Sequence, residues 1–342
     1  MKIGNKDLDK EVLIVAEVGN NHEGSYTLAE ELVGVAAEAG VGAVKFQTFC
    51  TEEFINRKSK DRFAQLKAFE LKYNEFEKLS KIATQAGILF LSTPFDIESA
   101  EFLNNIVKAF KISSGDNTFY PLIEKVAGFG KPIILASGLA GLTQIEYSKI
   151  LAERIWDDLG INQELAILHC VSSYPVRREE ANLAAIPRLI SAFQCTVGYS
   201  DHTQGIEAAV LSVALGARIV EKHFTIRKDY SGFRDHQLSA DPQEMAELVQ
   251  KIEHVSVLIG TGKKWIQDCE RDAIGSVRRS IVAKRDLAKG EVIGWNSISW
   301  VRPSEGLSPG KEHLVLGREV LKPIRAGDPI RINCLCAKTE VW

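Results

Sequence analysis

Residues 195–203 read C-T-V-G-Y-S-D-H-T and residues 217–225 read A-R-I-V-E-K-H-F-T, with a helix-like spacer between them. The pattern is strand, helix, strand. Each strand begins apolar and ends in a polar cluster, Ser200-Asp201-His202 on the first and Glu221-Lys222-His223 on the second. Alternate side chains of a strand share a face, which sets Ser200 with His202 and Glu221 with His223. A helical crossover makes the two strands parallel, so both clusters emerge at one end. Two imidazoles from neighbouring strand ends could then hold one metal ion.

The rest of the chain repeats this plan. Residues 12–18 (V-L-I-V-A-E-V) form an apolar run carrying Glu17, and Ser25 is a fitting N-cap for a helix through Ala39, closed by Gly40. Further strands are expected at 42–49, 88–95, 110–116, 131–139 and 165–175. Helices are expected over 60–86, from Asp96 to Asn105, from Thr143 onward and over 242–260. Near-continuous apolar strands alternating with helices argue for a parallel sheet buried on both faces. Eight such units over about 250 residues predict a (β/α)8 TIM barrel of the α/β class. A doubly wound open sheet is the competing architecture, but the Gly19 and Gly24 spacing is not G-x-G-x-x-G.

Polar residues fall late in or just after these strands, where barrels build active sites. Lys45 and Lys111, with Ser114, Ser137 and Ser200, would make a cationic, hydroxyl-rich basin suited to a phosphate or carboxylate. Glu17 or Asp116 could handle protons beside it. Blander readings stand alongside. The two histidines could be neutral, hydrogen-bonded core residues, and the lysines could be ion-pair partners at the barrel bottom. Asn20-Asn21-His22 could be turn chemistry, and His169, mid-strand, suits a structural role.

Composition bounds the possibilities. The 342 residues are 45% hydrophobic and 25% charged with a formal net charge of −3, which offers no nucleic-acid footprint. No apolar run approaches the roughly 20 residues of a membrane span. The start, M-K-I-G-N-K-D-L-D-K, lacks the apolar core of a signal peptide, so a cytoplasmic location is expected. The six cysteines show no C-x-x-C pair and are expected to be reduced and structural. After 242–260 the pattern changes to short β-like pieces separated by turns at Lys289-Gly290, Pro309-Gly310 and Ala326-Gly327-Asp328. The expected organisation is a barrel over 1–262, a linker over 263–276 and a small β-rich module over 277–342.

The ordered stretches A-E-V-G-N-N-H-E-G (16–24), V-K-F-Q-T-F (44–49), L-S-T-P-F (91–95), K-I-S-S-G-D (111–116), H-C-V-S-S-Y-P (169–175), G-Y-S-D-H-T (198–203) and E-K-H-F-T (221–225) together resemble the sialic acid, or nonulosonate, synthases. The resemblance covers nearly the whole chain, and V-R-P-S-E-G-L-S-P (301–309) is similar to that family's antifreeze-like, or SAF, domain. It implies condensation of phosphoenolpyruvate with an N-acetylated amino sugar aldehyde, assisted by a divalent metal, manganese or magnesium. Carried over residue by residue, it implies His202 and His223 as metal ligands. Lys45, Thr93, Lys111, Ser114, Ser137 and Ser200 would hold phosphoenolpyruvate. Glu17, with Lys45, Lys111 and Asp116, would serve the reacting centre. Asp116, Ser172, Tyr174 and Asp235 would contact the sugar. Arg302 would enter the barrel of a second subunit and grip the N-acetyl group, which implies a domain-swapped homodimer.

The match departs from the neuraminate-forming pattern at three places. Asp116 stands where that pattern has Glu, Ser172 where it has Asn, and Ala136 where it has Ser. The loop 227–236 is also one residue longer than the usual G-P-D-H form, which shifts Asp235. N-acetylmannosamine, giving N-acetylneuraminate, is the first candidate sugar. A legionaminate or pseudaminate synthase acting on a 2,4-diacetamido-2,4,6-trideoxyhexose is the alternative. An ice- or carbohydrate-binding protein is a remote reading, since the terminal module carries Arg302, Lys311, Glu312, Arg318 and Arg325. An octulosonate or heptulosonate synthase would not account for the C-terminal module.

Overall fold

The computed structural model describes residues 1–336; residues 337–342, the end of the expected terminal module, lie outside the described residues. The chain divides into two compact units, Met1–Gly260 and Thr261–Trp342. No helix among the described residues is long and apolar enough to cross a membrane.

The first unit is built on eight parallel strands. They are β1 (Leu13–Gly19), β2 (Ala43–Thr48), β3 (Leu89–Pro94), β4 (Phe110–Ile112), β5 (Ile133–Ala136), β6 (Leu165–Cys170), β7 (Val197–Asp201) and β8 (Ile219–His223). The sheet order β3-β2-β1-β8-β7-β6-β5-β4 keeps every strand beside its sequence neighbour and pairs β8 with β1. A doubly wound sheet would reverse direction at a switch point; this one does not. Strands β3 and β4 lie alongside each other without a hydrogen-bonded ladder, so the barrel is nearly closed.

Alternation along each strand sorts the side chains. Ile14, Val44, Phe46, Phe90, Ile167 and Val220 face outward and pack on helix residues including Leu32, Phe76, Leu79, Leu248 and Ile252. Leu13, Val15, Ala43, Leu91, Ala109, Ile134, Ala166, Leu168 and Ile219 form the lower interior. Met1, Ile3 and Leu8 join that layer. They belong to a hairpin pairing Lys2–Ile3 with Lys6–Asp7, which plugs the bottom of the barrel. This plug was not expected from the sequence, although Gly4-Asn5 between the two pieces is suitable hairpin-turn chemistry.

Local signals explain most element boundaries. Ser25 Oγ accepts from the backbone N–H of Leu28 at 3.3 Å, capping the helix Tyr26–Glu38. The stretch expected as one helix over 60–86 is two, Lys60–Phe69 and Tyr73–Gln85. Glu70 leaves the helical conformation at the break, and its carboxylate accepts from the backbone N–H of Thr51 at 2.9 Å. Strands β4, β5 and β6 end earlier than expected because the mouth residues turn. Asp116, for example, donates its backbone N–H to the Ser113 carbonyl at 3.1 Å.

The second unit contains an antiparallel pair, β9 (Ser280–Ala283) with β10 (Ile298–Val301). Isolated bridges such as Leu287 with Ile324 and Val320 with Leu335 extend it. Its own small core includes Ile281, Leu287, Ile293, Ile298, Val315, Val320 and Ile330. The expected linker carries two short helical turns, Asp268–Glu270 and Ile274–Val277.

Two glycines give a test of the packing. A Cβ at Gly198, inside β7, would stand 2.4 Å from the Ile219 carbonyl oxygen and 2.5 Å from Leu168 Cδ2, whereas one at Gly34 meets nothing within 4 Å. Urea unfolding should show Gly198→Ala destabilised by about 1–3 kcal/mol. Gly34→Ala, mid-helix, should be stabilised by about 0.5–1 kcal/mol. Equal effects would contradict this packing of the barrel.

Candidate active site at the barrel mouth

Above the apolar layer, the inward positions change character. On β1 the sequence Leu13, Val15, Glu17 runs from core to mouth, and on β8 the corresponding series is Ile219, Glu221, His223. Register sets Glu17 between Lys45 and His223, and Glu221 beside Ser200. The result is a buried charge network. Lys45 Nζ lies 2.7 Å from Glu17 and 3.8 Å from Glu221, and Lys111 Nζ lies 3.0 Å from Glu221. Lys45 also donates to Thr93 Oγ1 at 3.1 Å, and Ser200 Oγ donates to Glu221 at 2.9 Å. Gln47 donates to Glu17 at 3.2 Å and accepts from Asn20 at 2.9 Å. The lysines are therefore ion-paired, but at the mouth end rather than the barrel bottom.

The two glutamates are pushed in opposite directions. Burial drives the Glu221 carboxyl up, but Lys111 and Lys45 outweigh it and hold its pKa at about 2. At Glu17, burial and the negative charge of Glu221 prevail over Lys45, so its pKa is raised. Two carboxyl groups whose surroundings separate them in this way divide into a fixed charge and a proton carrier. The surroundings hold Glu221 ionised and favour a proton on Glu17.

The histidines stand beside this network. The His202 and His223 rings are 5.4 Å apart, and the Tyr174 ring lies 4.2 Å from the first and 5.8 Å from the second. His202 Nδ1 faces the Val171 carbonyl at 2.8 Å, so it carries a proton. Burial opposes the charged ring, but Cys170 and this carbonyl outweigh it and raise the His202 pKa. His223 Nδ1 is buried with no hydrogen-bond partner among the described residues. Burial first, and His202 second, depress the His223 pKa well below the ordinary value, keeping the ring neutral. Two adjoining imidazoles, one of them neutral with an unsatisfied buried nitrogen, are a donor set that fits a divalent cation. No group of three or more His, Cys, Asp or Glu ligands occurs among the described residues, so other coordination positions would fall to solvent or substrate.

The remaining residues marked in the sequence are placed as follows. Asp116 accepts from Ser113 Oγ at 2.5 Å, and burial raises its pKa. Ser137 donates to the Leu168 carbonyl at 2.8 Å, and Ser114 Oγ accepts from the Gly138 N–H at 3.2 Å. Ser172 Oγ is buried without a hydrogen-bond partner among the described residues. Asp235 pairs with Arg234 at 3.2 Å, and the Arg234 guanidinium sits 4.6 Å over the Tyr174 ring. Their loop is tied to the β1 loop through His236, which meets Glu23 at 2.9 Å and Thr225 at 2.6 Å. Arg302 follows β10 in the second unit. His169, for which a structural role was expected, bonds the Ala181 carbonyl at 2.8 Å. Asn20 extends the charge network and Asn21 bonds the Phe224 carbonyl at 2.8 Å, so that turn does more than reverse the chain. Glu221, the hub, was not among the site residues read from sequence. Its signal was its place two residues before His223, on the same face.

The NeuB family model matches residues 32–264, and the SAF domain model matches residues 278–335. The chain belongs to the NeuB family. Within it, the chain is 38% identical to the N,N'-diacetyllegionaminic acid synthase of Campylobacter jejuni, over 94% of this chain and 99% of that protein. It is 37% identical to the N,N'-diacetyllegionaminic acid synthase of Legionella pneumophila, over 92% of each. The crystal structure of an N-acetylneuraminic acid synthetase from Leptospira borgpetersenii superposes with a TM-score of 0.74 at 36% identity, covering 80% of this chain and 94% of that one. The NeuB barrel followed by a SAF domain agrees with the fold expected from sequence, and the family is that of the nonulosonic acid synthases.

Removing the hub charge tests the network. Glu221→Gln should lower unfolding stability by about 3–5 kcal/mol, because it leaves buried ammonium groups under-compensated. A loss below about 1 kcal/mol in urea denaturation would show that Glu221 is not their partner.

Proposed function

We propose that this chain condenses phosphoenolpyruvate with an acylamino sugar aldehyde to give a nonulosonic acid and phosphate, and that the sugar is a 2,4-diacetamido-2,4,6-trideoxyhexose. The observation that carries the synthase reading is the pair of ammonium groups, Lys45 and Lys111, buried at the barrel mouth beside the His202 and His223 imidazoles. In this reading the phosphate and carboxylate of phosphoenolpyruvate draw on Lys45 and Lys111, with Thr93, Ser114, Ser137 and Ser200 supplying hydroxyls. Carbon 3 of phosphoenolpyruvate forms the new bond to the aldehyde carbon, and the aldehyde oxygen takes up a proton. Water adds at carbon 2, losing a proton, and phosphate leaves by cleavage of the C–O bond. Glu17, with its raised pKa, suits the proton transfer. Glu221 stays ionised and keeps both lysines charged. His202 and His223 would hold a divalent manganese or magnesium ion, whose chemistry there is Lewis-acid polarisation of the aldehyde oxygen. Tyr174, Asp116, Ser172 and Asp235 orient the sugar, and Arg302 of a second copy in a homodimer grips its 2-acetamido group.

Support for the diacetamido sugar comes from the two relatives named N,N'-diacetyllegionaminic acid synthase, each similar over more than nine-tenths of the chain. The neuraminic acid synthetase is nearly as similar at 36%, so turnover decides between the sugars. Phosphate release from phosphoenolpyruvate with Mn2+ should depend on the diacetamido sugar and exceed release with N-acetylmannosamine. Chelation should abolish it. His202→Ala should reduce it at least about a hundredfold, since even outer partners of a metal site cost ten- to a hundredfold. Phosphate release that no sugar stimulates would overturn the synthase reading. Equal rates in the chelated and metal-loaded protein would overturn the metal alone.

A further inference from the structure

Beside the mouth, between the loops that follow β5 and β6, lies a cavity of about 500 Å3 that the charge network does not use. Leu139, Leu142, Ile145 and Leu189 give it an apolar lining, and Cys170 and Ser172 form its inner edge. Cys170 Sγ is 3.8 Å from His202 Nδ1, so the cavity begins one side chain from the histidine pair. At that edge the Ser172 hydroxyl is buried and has no hydrogen-bond partner among the described residues. An orphaned hydroxyl costs free energy unless something supplies the missing bond.

Backbone geometry at the rims points the same way. Leu139 has φ of +61° with its side chain 78% exposed, and Asn182, on the other rim, has φ of +45°. A bulky, exposed leucine in the left-handed region is strained, and such strain gathers at ligand clamps. Gly138 keeps the inner edge clear, because a Cβ there would stand 2.3 Å from Ser172 Oγ and 2.6 Å from Ser114 Oγ. Ser172, at this edge, is smaller than the Asn of the neuraminate-forming pattern.

We propose that this cavity receives the second acylamino group of the sugar, the one that a 2,4-diacetamido sugar has and N-acetylmannosamine lacks. The inference rests on the sugar reading above. An acetamido group matches the lining in both halves: its methyl lies against Leu142, Ile145 and Leu189, and its amide completes the bonding of Ser172. Apolar pockets with one or two placed polar groups are the usual form of such sites.

Filling the cavity tests this. Ala185 lines it at the start of the helix Ala185–Phe193, and Leu142, partly exposed, lines it at the start of Leu142–Leu159. Steady-state phosphate release would be measured for the wild type, Ala185→Phe and Leu142→Trp with each sugar, with melting temperature as a check on folding. The surface position of Leu142 provides a second variant should Ala185→Phe fail to fold. Both variants should lose about tenfold or more in kcat/KM for the diacetamido sugar, chiefly through KM. The KM for phosphoenolpyruvate should stay within about twofold, as expected when only uniform binding of the sugar is removed. Ser172→Ala should lower kcat/KM for the same sugar several-fold. Folded variants that keep wild-type kinetics with the diacetamido sugar would overturn the cavity assignment while leaving the sugar reading in place. So would a parallel rise in the KM for phosphoenolpyruvate. A wild type that turns over N-acetylmannosamine alone would overturn the sugar reading and, with it, the proposed occupant.

Discussion

Two ammonium groups and two carboxyl groups lie inside a protein wall, each less than a tenth exposed, within salt-bridge reach of one another. A single charge in such surroundings would shift its pKa and neutralise rather than stay ionised. Glu221 avoids this by standing between Lys45 and Lys111 and by accepting from Ser200. Its position is fixed by the register of β8 against β7 and β1. A slip of one residue would turn every interior side chain outward. The charges and the strand register therefore depend on each other.

The barrel beneath explains why these charges can sit so low in the mouth. The interior below them is filled by Leu13, Val15, Leu91, Ile134, Leu168 and Ile219 and closed by Met1, Ile3 and Leu8. That floor excludes water from one side only. On the other side the network faces the histidine pair, Tyr174 and the loop carrying Arg234 and Asp235. Under the proposed reaction, an incoming anion competes with Glu17 and Glu221 for the lysines. Glu17, held with a raised pKa, is the group that gives way.

Much of this was legible in the sequence, for definite reasons. Buried parallel strands leave near-continuous apolar runs, so all eight were visible, and the polar residue ending each run marked the mouth. The Ser25 cap was legible because its hydroxyl and the following helix are local. Glu221 as the hub was not, because which of several carboxylates meets which lysine depends on register between strands far apart in sequence. The extents of β4, β5 and β6 were overread, since the chain turns locally at Ser113–Asp116 and at Val171–Ser173 while the hydroxyl residues there continue the look of a strand end. The lateral cavity was equally hidden. It depends on left-handed backbone at Leu139, a conformation that leucine does not favour on its own.

The most direct test of the buried network's role is the affinity of phosphoenolpyruvate itself, measured by titration calorimetry without any sugar, for the wild type and Lys111→Met. If the lysines receive the anion, the wild type binds and the variant loses about tenfold or more, the weight of one charge-assisted contact, with circular dichroism unchanged. Equal affinity in a folded Lys111→Met protein would contradict that role, because the buried ammonium groups would then be serving the fold alone.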